Sequence, residues 1–261
     1  MDDDSSQPFL YSWWTQADDI PRNVTHVKVD PAVKVIREQA FVGCTQLMIV
    51  ELCEGLEQID REAFRYCTSL TSISVPSTVK WIDKYAFCRC SKLITIDLCE
   101  GLGWIDRGAF QHCASLERII IPSTVKVIGT GAFAGCSKMM DVKLCEGLEE
   151  IRLKAFEGCT SVKRIVIPST VSFIDSSAFI GCSGLVSVEF CEEIGQFVND
   201  VFLPRWNLGK SPTSLRMYSL LAGYKSTRHK IPALLCPIKV QAWKSNIKKN
   251  VTAYSEGEEL G

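Results

Sequence analysis

Apolar residues recur along this chain at a fixed interval of 23 residues, gathered within each interval into short runs separated by polar turns. One column of the repeat reads Leu47, Leu70, Leu93, Leu116, Met139, Val162 and Leu185. Three residues on stand Val50, Ile73, Ile96, Ile119, Val142, Ile165 and Val188; two further on stand Leu52, Val75, Leu98, Ile121, Leu144, Ile167 and Phe190. The spacing L-x-x-I-x-I ends in an alternation of period two, which predicts a short strand with one buried face. A second apolar pair follows, Leu56 with Ile59 in the first full coil and Leu148 with Ile151 in the fifth, and predicts a second extended piece. Ala-Phe then occurs seven times, from Ala40-Phe41 to Ala178-Phe179, each Phe followed three residues later by a cysteine of the series Cys44, Cys67, Cys90, Cys113, Cys136, Cys159 and Cys182. The segment at 60–64 opens with Asp60 in an N-cap position and Glu62 as an early acid, so a short helical turn is expected there.

A strict period in this range means stacked structural units, each burying its apolar face on its neighbours. Stacked coils set their strands side by side at roughly 4.8 Å in a parallel sheet. The seven Phe side chains become an internal column, each contributing about 1.5–3 kcal/mol on full burial before chain ordering is subtracted. A longer period overlies the shorter one. The residue after the strand is Cys53, Pro76, Cys99, Pro122, Cys145, Pro168 and Cys191. Odd coils read Cys-Glu-Gly and even ones Pro-Ser-Thr, which points to duplication of a 46-residue pair. Proline lacks an amide donor and helps end the strand, while glycine serves the turn.

These residues resemble a known family. The pattern L-x-x-I-x-I-P-S-T-V-K-x-I-x-x-x-A-F-x-x-C, which residues 116–136 follow almost letter for letter, is similar to BspA-type leucine-rich repeats. The segment at 20–31, opening Ile20-Pro21-Arg22-Asn23-Val24, and the Cys-Glu-Gly-Leu turns look like such proteins in diatoms. The resemblance covers about residues 20–208. It implies an α/β repeat architecture: a right-handed leucine-rich repeat solenoid of 23-residue coils with a parallel strand face and short helical turns. It implies binding and no single activity, since function is argued from a site rather than a fold.

The expected organisation is an N-terminal segment at 1–19, the solenoid with degenerate end coils at 20–208, and a basic helical C-terminal cap at 209–261 with an acidic end. Phe9, Leu10, Tyr11, Trp13 and Trp14 are expected to pack on the first coil, the alternative being a mobile binding segment. Charge is unevenly spread beneath a net −1: residues 1–194 carry 19 Lys/Arg and 26 Asp/Glu, whereas residues 195–250 carry 10 and 1. The basic tail, with Lys244, Lys248 and Lys249 on a helical pattern beside Trp243 and Ile247, either docks on the acidic repeats or contacts acidic membrane or nucleic acid. The start, Met1-Asp2-Asp3-Asp4, lacks a secretory pattern, and no apolar run is long enough to span a membrane. An intracellular, cytoplasmic or nuclear, location is therefore expected.

Thirteen cysteines cannot all pair within one chain, and in a reducing compartment they remain thiols. The Ala-Phe-x-x-Cys set is expected inward. Cys53, Cys99, Cys145 and Cys191 recur every second coil, about 10 Å apart at roughly 4.8 Å per rung; one zinc needs its sulfurs within about 4 Å of each other. No metal site follows. Cys88, in a column otherwise holding Val42, Arg65, Gln111, Ala134, Glu157 and Ile180, is expected to be the most exposed thiol. His26, His112 and His229 lie far apart in the repeat scheme. Gly209-Lys210-Ser211 lacks the glycine a phosphate loop requires, since Pro204 stands there. Catalytic residues, cofactors and a small-molecule substrate are accordingly not expected.

What remains is the outward side of the strands, whose columns vary from coil to coil in size and charge. Arg118, Lys143 and Arg164, interleaved with Ile120 and Val166, form the most partner-like patch, because charge and exposed apolar surface coincide there. The expectation is a non-enzymatic module binding a protein partner on this face, with the tail adaptor and a purely structural scaffold as alternatives.

Overall fold

A computed structural model of the chain describes residues 8–12, 15, 19–175 and 177–190, with the backbone also at 196–197. The expected helical cap at 209–261 and the tail lysines Lys244, Lys248 and Lys249 lie outside the described residues.

Each coil contributes two strands. The longer ones are His26–Val29, Ile49–Glu51, Ser72–Val75, Thr95–Leu98, Arg118–Ile121, Asp141–Leu144, Arg164–Ile167 and Ser187–Phe190. They lie in parallel along one side of the stack, the strand face, hydrogen-bonded in three successive groups. Register advances by one repeat per rung, as in Arg118 opposite Asp141 and Ile120 opposite Lys143. Alternation is obeyed: in Arg118–Ile121 the first and third residues are exposed and the second and fourth buried. Phe9–Tyr11 adds one more parallel strand ahead of the first coil, with Tyr11 opposite Val29. Tyr11 is buried, its ring 5.2 Å from Phe41, and its hydroxyl accepts the Arg37 N–H at 3.2 Å. Tyr11 thus packs on the first coil with Phe9 partly buried beside the core, whereas Leu10 is exposed; Trp13 and Trp14 lie outside the described residues.

The second extended pieces are two-residue strands that form one continuous ladder of eight, from Val35–Ile36 to Gln196–Phe197. Between the two ladders lies a single core. Phe41, Phe64, Phe87, Phe110, Phe133 and Phe156 are almost wholly buried. Successive rings stack with centroids 5.1–5.4 Å apart and planes within 10° of parallel, through to Phe179.

The turn that carries Ala-Phe differs from expectation, because the described residues form no α-helix there. Alternate amides make i to i−3 bonds, as from Ala63 to Asp60, Arg65 to Glu62 and Cys67 to Phe64. The amides between them donate to the next coil: Glu62 to Lys84, Phe64 to Ala86 and Tyr66 to Cys88. Glu62 and Tyr66 hold left-handed backbone, with φ of 57° and 64°. That turns every second N–H out of the helical direction and into the neighbouring coil. The turn edge is in effect a third ladder.

The alternation of Cys-Glu-Gly and Pro-Ser-Thr coils also has a structural purpose. The Glu100 carboxylate accepts the Ser123 amide at 3.1 Å, the Ser123 hydroxyl at 2.9 Å and the Thr124 amide at 3.2 Å. The Gly101 amide donates to Thr124 Oγ1 at 2.9 Å. Glu146 with Ser169 and Thr170, and Glu54 with Ser77, repeat the arrangement. Each odd coil is thereby clamped to the even coil after it. Gly101, at φ 110°, faces the other way onto the preceding even coil, where a Cβ would lie 2.4 Å from the Ser77 carbonyl oxygen.

Candidate binding surfaces

Strand alternation places the outward columns as the pattern demands. Arg118, Ile120, Lys143 and Arg164 are exposed and Val166 is half-buried. The two arginines are tied down along the stack. Arg118 Nε lies 3.1 Å from Asp141 Oδ2, and Arg164 Nη2 lies 2.5 Å from Glu189 Oε2. These exposed pairs add little stability, yet they direct each guanidinium toward the following coil. Lys143 has no acidic partner among the described residues and stands beside Ile120 on the adjacent strand.

A neighbouring column carries exposed apolar surface that the strand reading missed. Met48, Ile94, Met140 and Val186 sit one residue before the outward position, 50%, 41%, 57% and 40% exposed. They recur every second coil, alternating with Thr71, Glu117 and Lys163, so the 46-residue period carried the signal. Ile120, itself 47% exposed, lies opposite Lys143, while Ile94 and Met140 flank Glu117 at the start of the same strand. On the second ladder Trp81 and Trp104 stack at 4.7 Å and are also exposed.

The cysteines divide differently from expectation. The Ala-Phe-x-x-Cys set is inward, and six of its seven thiols donate to the carbonyl of a Phe one coil earlier, as Cys113 does to Phe87 at 3.1 Å. Burial pushes the Cys44 thiol up to about 11 and the Cys136 thiol up to about 12. Cys53, Cys99 and Cys145 are half-buried. Cys88, expected to be exposed, is buried at 3%. Its column is shallow: Val42, Arg65, Gln111, Glu157 and Ile180 are half-buried, and the two smallest members, Cys88 and Ala134, are the ones covered. A short side chain between long ones sinks below them.

Cys88 lies beneath a concavity of about 300 Å³ on the turn edge, walled by Arg65, Tyr66, Tyr85, Arg89, Gln111 and His112. Three of these occupy a column that holds Gly43, Gly135, Gly158 and Gly181 in other coils. Tyr66, Arg89 and His112 keep the glycine backbone, at φ 64°, 62° and 59°, where a side chain costs roughly 1–2 kcal/mol. The signal was present in the sequence as one column that changes from glycine to bulky polar residues over three consecutive coils.

Among the described residues no group of three or more His, Cys, Asp or Glu could hold a metal, and no helix is long and apolar enough to cross a membrane. The family model described as BspA type leucine rich repeat region matches residues 21–139 and 103–213 in six copies. A leucine-rich repeat protein of Eubacterium ventriosum is similar in structure, with 21% identity and a TM-score of 0.59 over 75% of this chain and 49% of that one. A leucine-rich cell surface protein of Faecalibacterium prausnitzii has 27% identity and a TM-score of 0.45 over 64% of this chain and 39% of that one. A T. pallidum leucine-rich repeat protein has 25% identity and a TM-score of 0.49 over 68% and 78%. The chain thus spans about half the length of the Eubacterium protein and less of the Faecalibacterium one. No curated protein matches the chain.

Proposed function

The chain belongs to the BspA-type leucine-rich repeat family, and from that premise we propose that it is a non-enzymatic scaffold that takes a protein partner on its strand face. Solenoids of this kind generally serve as extended binding surfaces. The observation that carries the reading is exposed Ile120 set opposite Lys143, with the exposed column of Met48, Ile94, Met140 and Val186 running along the start of the same strands. Core packing does not require apolar residues at those outward positions, and an apolar centre with charged neighbours is the composition of an interface core and rim. Arg118, Arg164 and Val166 extend the site along the stack, the arginines being pre-oriented by Asp141 and Glu189. The same reading gives the protein a reducing compartment inside the cell. Its support is that the cysteines among the described residues are free thiols, six of them donors to Phe carbonyls, as a reducing compartment leaves them.

Cross-linking of the full chain in its native extract, followed by mass spectrometry, tests this. Partner cross-links should map to the strand face and vanish in an Ile120→Asp, Lys143→Glu double variant that melts like the wild type. Undiminished cross-linking by that folded variant refutes the site. If a variant lacking Lys244, Lys248 and Lys249 loses the partner instead, binding belongs to the tail.

A further inference from the structure

We propose that the turn-edge concavity is a binding site for a small oxyanion of the phosphate-monoester class, separate from the strand face. The first argument is the backbone. Tyr66, Arg89 and His112 stand in consecutive coils at a left-handed position that Gly43, Gly135, Gly158 and Gly181 fill elsewhere. Each departs from the residue best suited to that conformation. Together the departures bring a phenol, a guanidinium and an imidazole to one spot. Within this column, left-handed side chains occur only at the walls of the concavity; the neighbouring column carries them at Gln39, Lys154 and Ser177 as well, so it is the convergence of three such side chains, not the strain itself, that points to function.

The second argument is how the walls are seated. A Cβ on Gly135 would lie 2.4 Å from His112 Nδ1, and one on Gly108 would lie 2.4 Å from the Tyr85 ring. The imidazole and the phenol therefore rest in notches that only glycine in the following coil leaves open. They are held in place before any ligand arrives.

Charge gives the third. The guanidinium carbons of Arg65 and Arg89 lie 4.9 and 5.6 Å from the centre of the Tyr66 ring. Arg65 is anchored by buried Glu62, with Nη1 3.0 Å from Oε1, while its Nε is buried without a hydrogen-bond partner. Arg89 has no carboxylate partner among the described residues. The two guanidinium groups thus converge on the Tyr66 ring, and among the described residues only that of Arg65 has a carboxylate partner, Glu62, which Arg61 shares, leaving positive charge at the opening. Burial raises the Cys88 thiol pKa despite both arginines, so Cys88 stays protonated and does not serve as the missing anion. The guanidinium groups donate and cannot accept, and the Gln111 amide adds donors. The ligand must bring acceptor oxygens. Groups approaching from two coils suit a tetrahedral oxyanion with several oxygens in different planes better than one flat carboxylate. The volume, about 300 Å³, admits a phosphate with a small organic group lying on the phenol rings.

Thermal melts of the full chain with phenyl phosphate, inorganic phosphate, sulfate and acetate at matched ionic strength test the proposal. Phenyl phosphate should raise the melting temperature most, phosphate and sulfate less, and acetate not at all. Arg89→Gly restores the residue of the other coils, so it should melt at or above the wild-type temperature without ligand. It should bind phenyl phosphate at least about tenfold more weakly, the loss of one charge-assisted contact. His112→Gly should behave likewise and serves as the second folded variant. A wild-type protein indifferent to phosphate, an acetate shift equal to that of phosphate, or unaltered binding by both glycine variants overturns the assignment. The last result would also expose phosphate binding by the basic tail.

Discussion

Replacing Phe110 with alanine probes the internal ring column at its middle. Phe110 is fully buried, and its ring lies 5.3 Å from Phe87 and 5.2 Å from Phe133, with planes 7° and 10° apart. Phe to Ala changes in cores destabilise by about 3–5 kcal/mol, and the spread reflects how far the cavity can collapse. Collapse is restricted here. The Phe87 amide donates to Ala109 and the Phe110 amide to Ala132, both at 2.7 Å, so backbone bonds on either side of the ring fix the coil spacing. Two offset stacks are lost as well, each adding about 0.5–1.5 kcal/mol. The expected loss is therefore at the upper end, about 4–5 kcal/mol. Phe110→Leu, which keeps most of the apolar volume, should cost about 1.5 kcal/mol. Urea denaturation followed by far-ultraviolet circular dichroism reads both values, provided the slope matches that of the wild type. A changed slope would mean that the coils no longer unfold together. A loss below about 1 kcal/mol for Phe110→Ala would show that the ring column does not hold the stack together.

Three further outcomes are expected. Hydrogen bonds from Ser123, its backbone amide foremost, lower the Glu100 pKa, and the Ser169 amide does the same for Glu146. Their contribution is present above the ordinary glutamate value of about 4.3 and is lost as pH falls through the depressed folded value; acid titrations of Glu100→Gln and Glu146→Gln should be less steep between those two values, and unchanged steepness refutes the clamp's role. Native thiol labelling with mass spectrometry should modify half-buried Cys99 and Cys145 before Cys88, Cys113 or Cys136; early labelling of Cys113 would contradict the inward column. Gly101→Ala, which meets both a φ of 110° and a carbonyl 2.4 Å away, should destabilise by more than about 1 kcal/mol in the same urea assay, beyond the gain from stiffening the unfolded chain; a neutral result would mean the two coils are farther apart.

The strand face could be read from the sequence because alternation along Arg118–Ile121 leaves no freedom: slipping it by one residue would expose Ile119 and Ile121. The inward cysteines followed from the same period. Three other features were hidden for separate physical reasons. Asp60 and Glu62 are local helix-start signals, yet left-handed backbone at Glu62 sends its amide to the next coil, a choice made by stacking rather than by the segment. Cys88 looked exposed because its column varies from coil to coil and holds Arg65, Gln111 and Glu157, but depth within a column depends on the length of its neighbours, and Arg65 and Gln111 overtop it. The clamp from Glu100 to Ser123 was visible only as an unexplained alternation, since two motifs 23 residues apart declare their complementarity only when laid side by side.

That clamp constrains how such a molecule can change length. Glu100 needs the Ser123 amide and hydroxyl and the Thr124 amide on the rung that follows, and Gly101 needs the bare carbonyl of Ser77 on the rung before. Remove an even coil and two Cys-Glu-Gly turns become neighbours, with carboxylate facing carboxylate and the hydroxyl donors gone; remove an odd one and two Pro-Ser-Thr turns meet without an acceptor. Only an even step restores the match at every junction. The number of coils is thus subject to a parity rule, and genetic slippage that adds or deletes 46 residues should leave the melting temperature nearer that of the parent than slippage by 23 does.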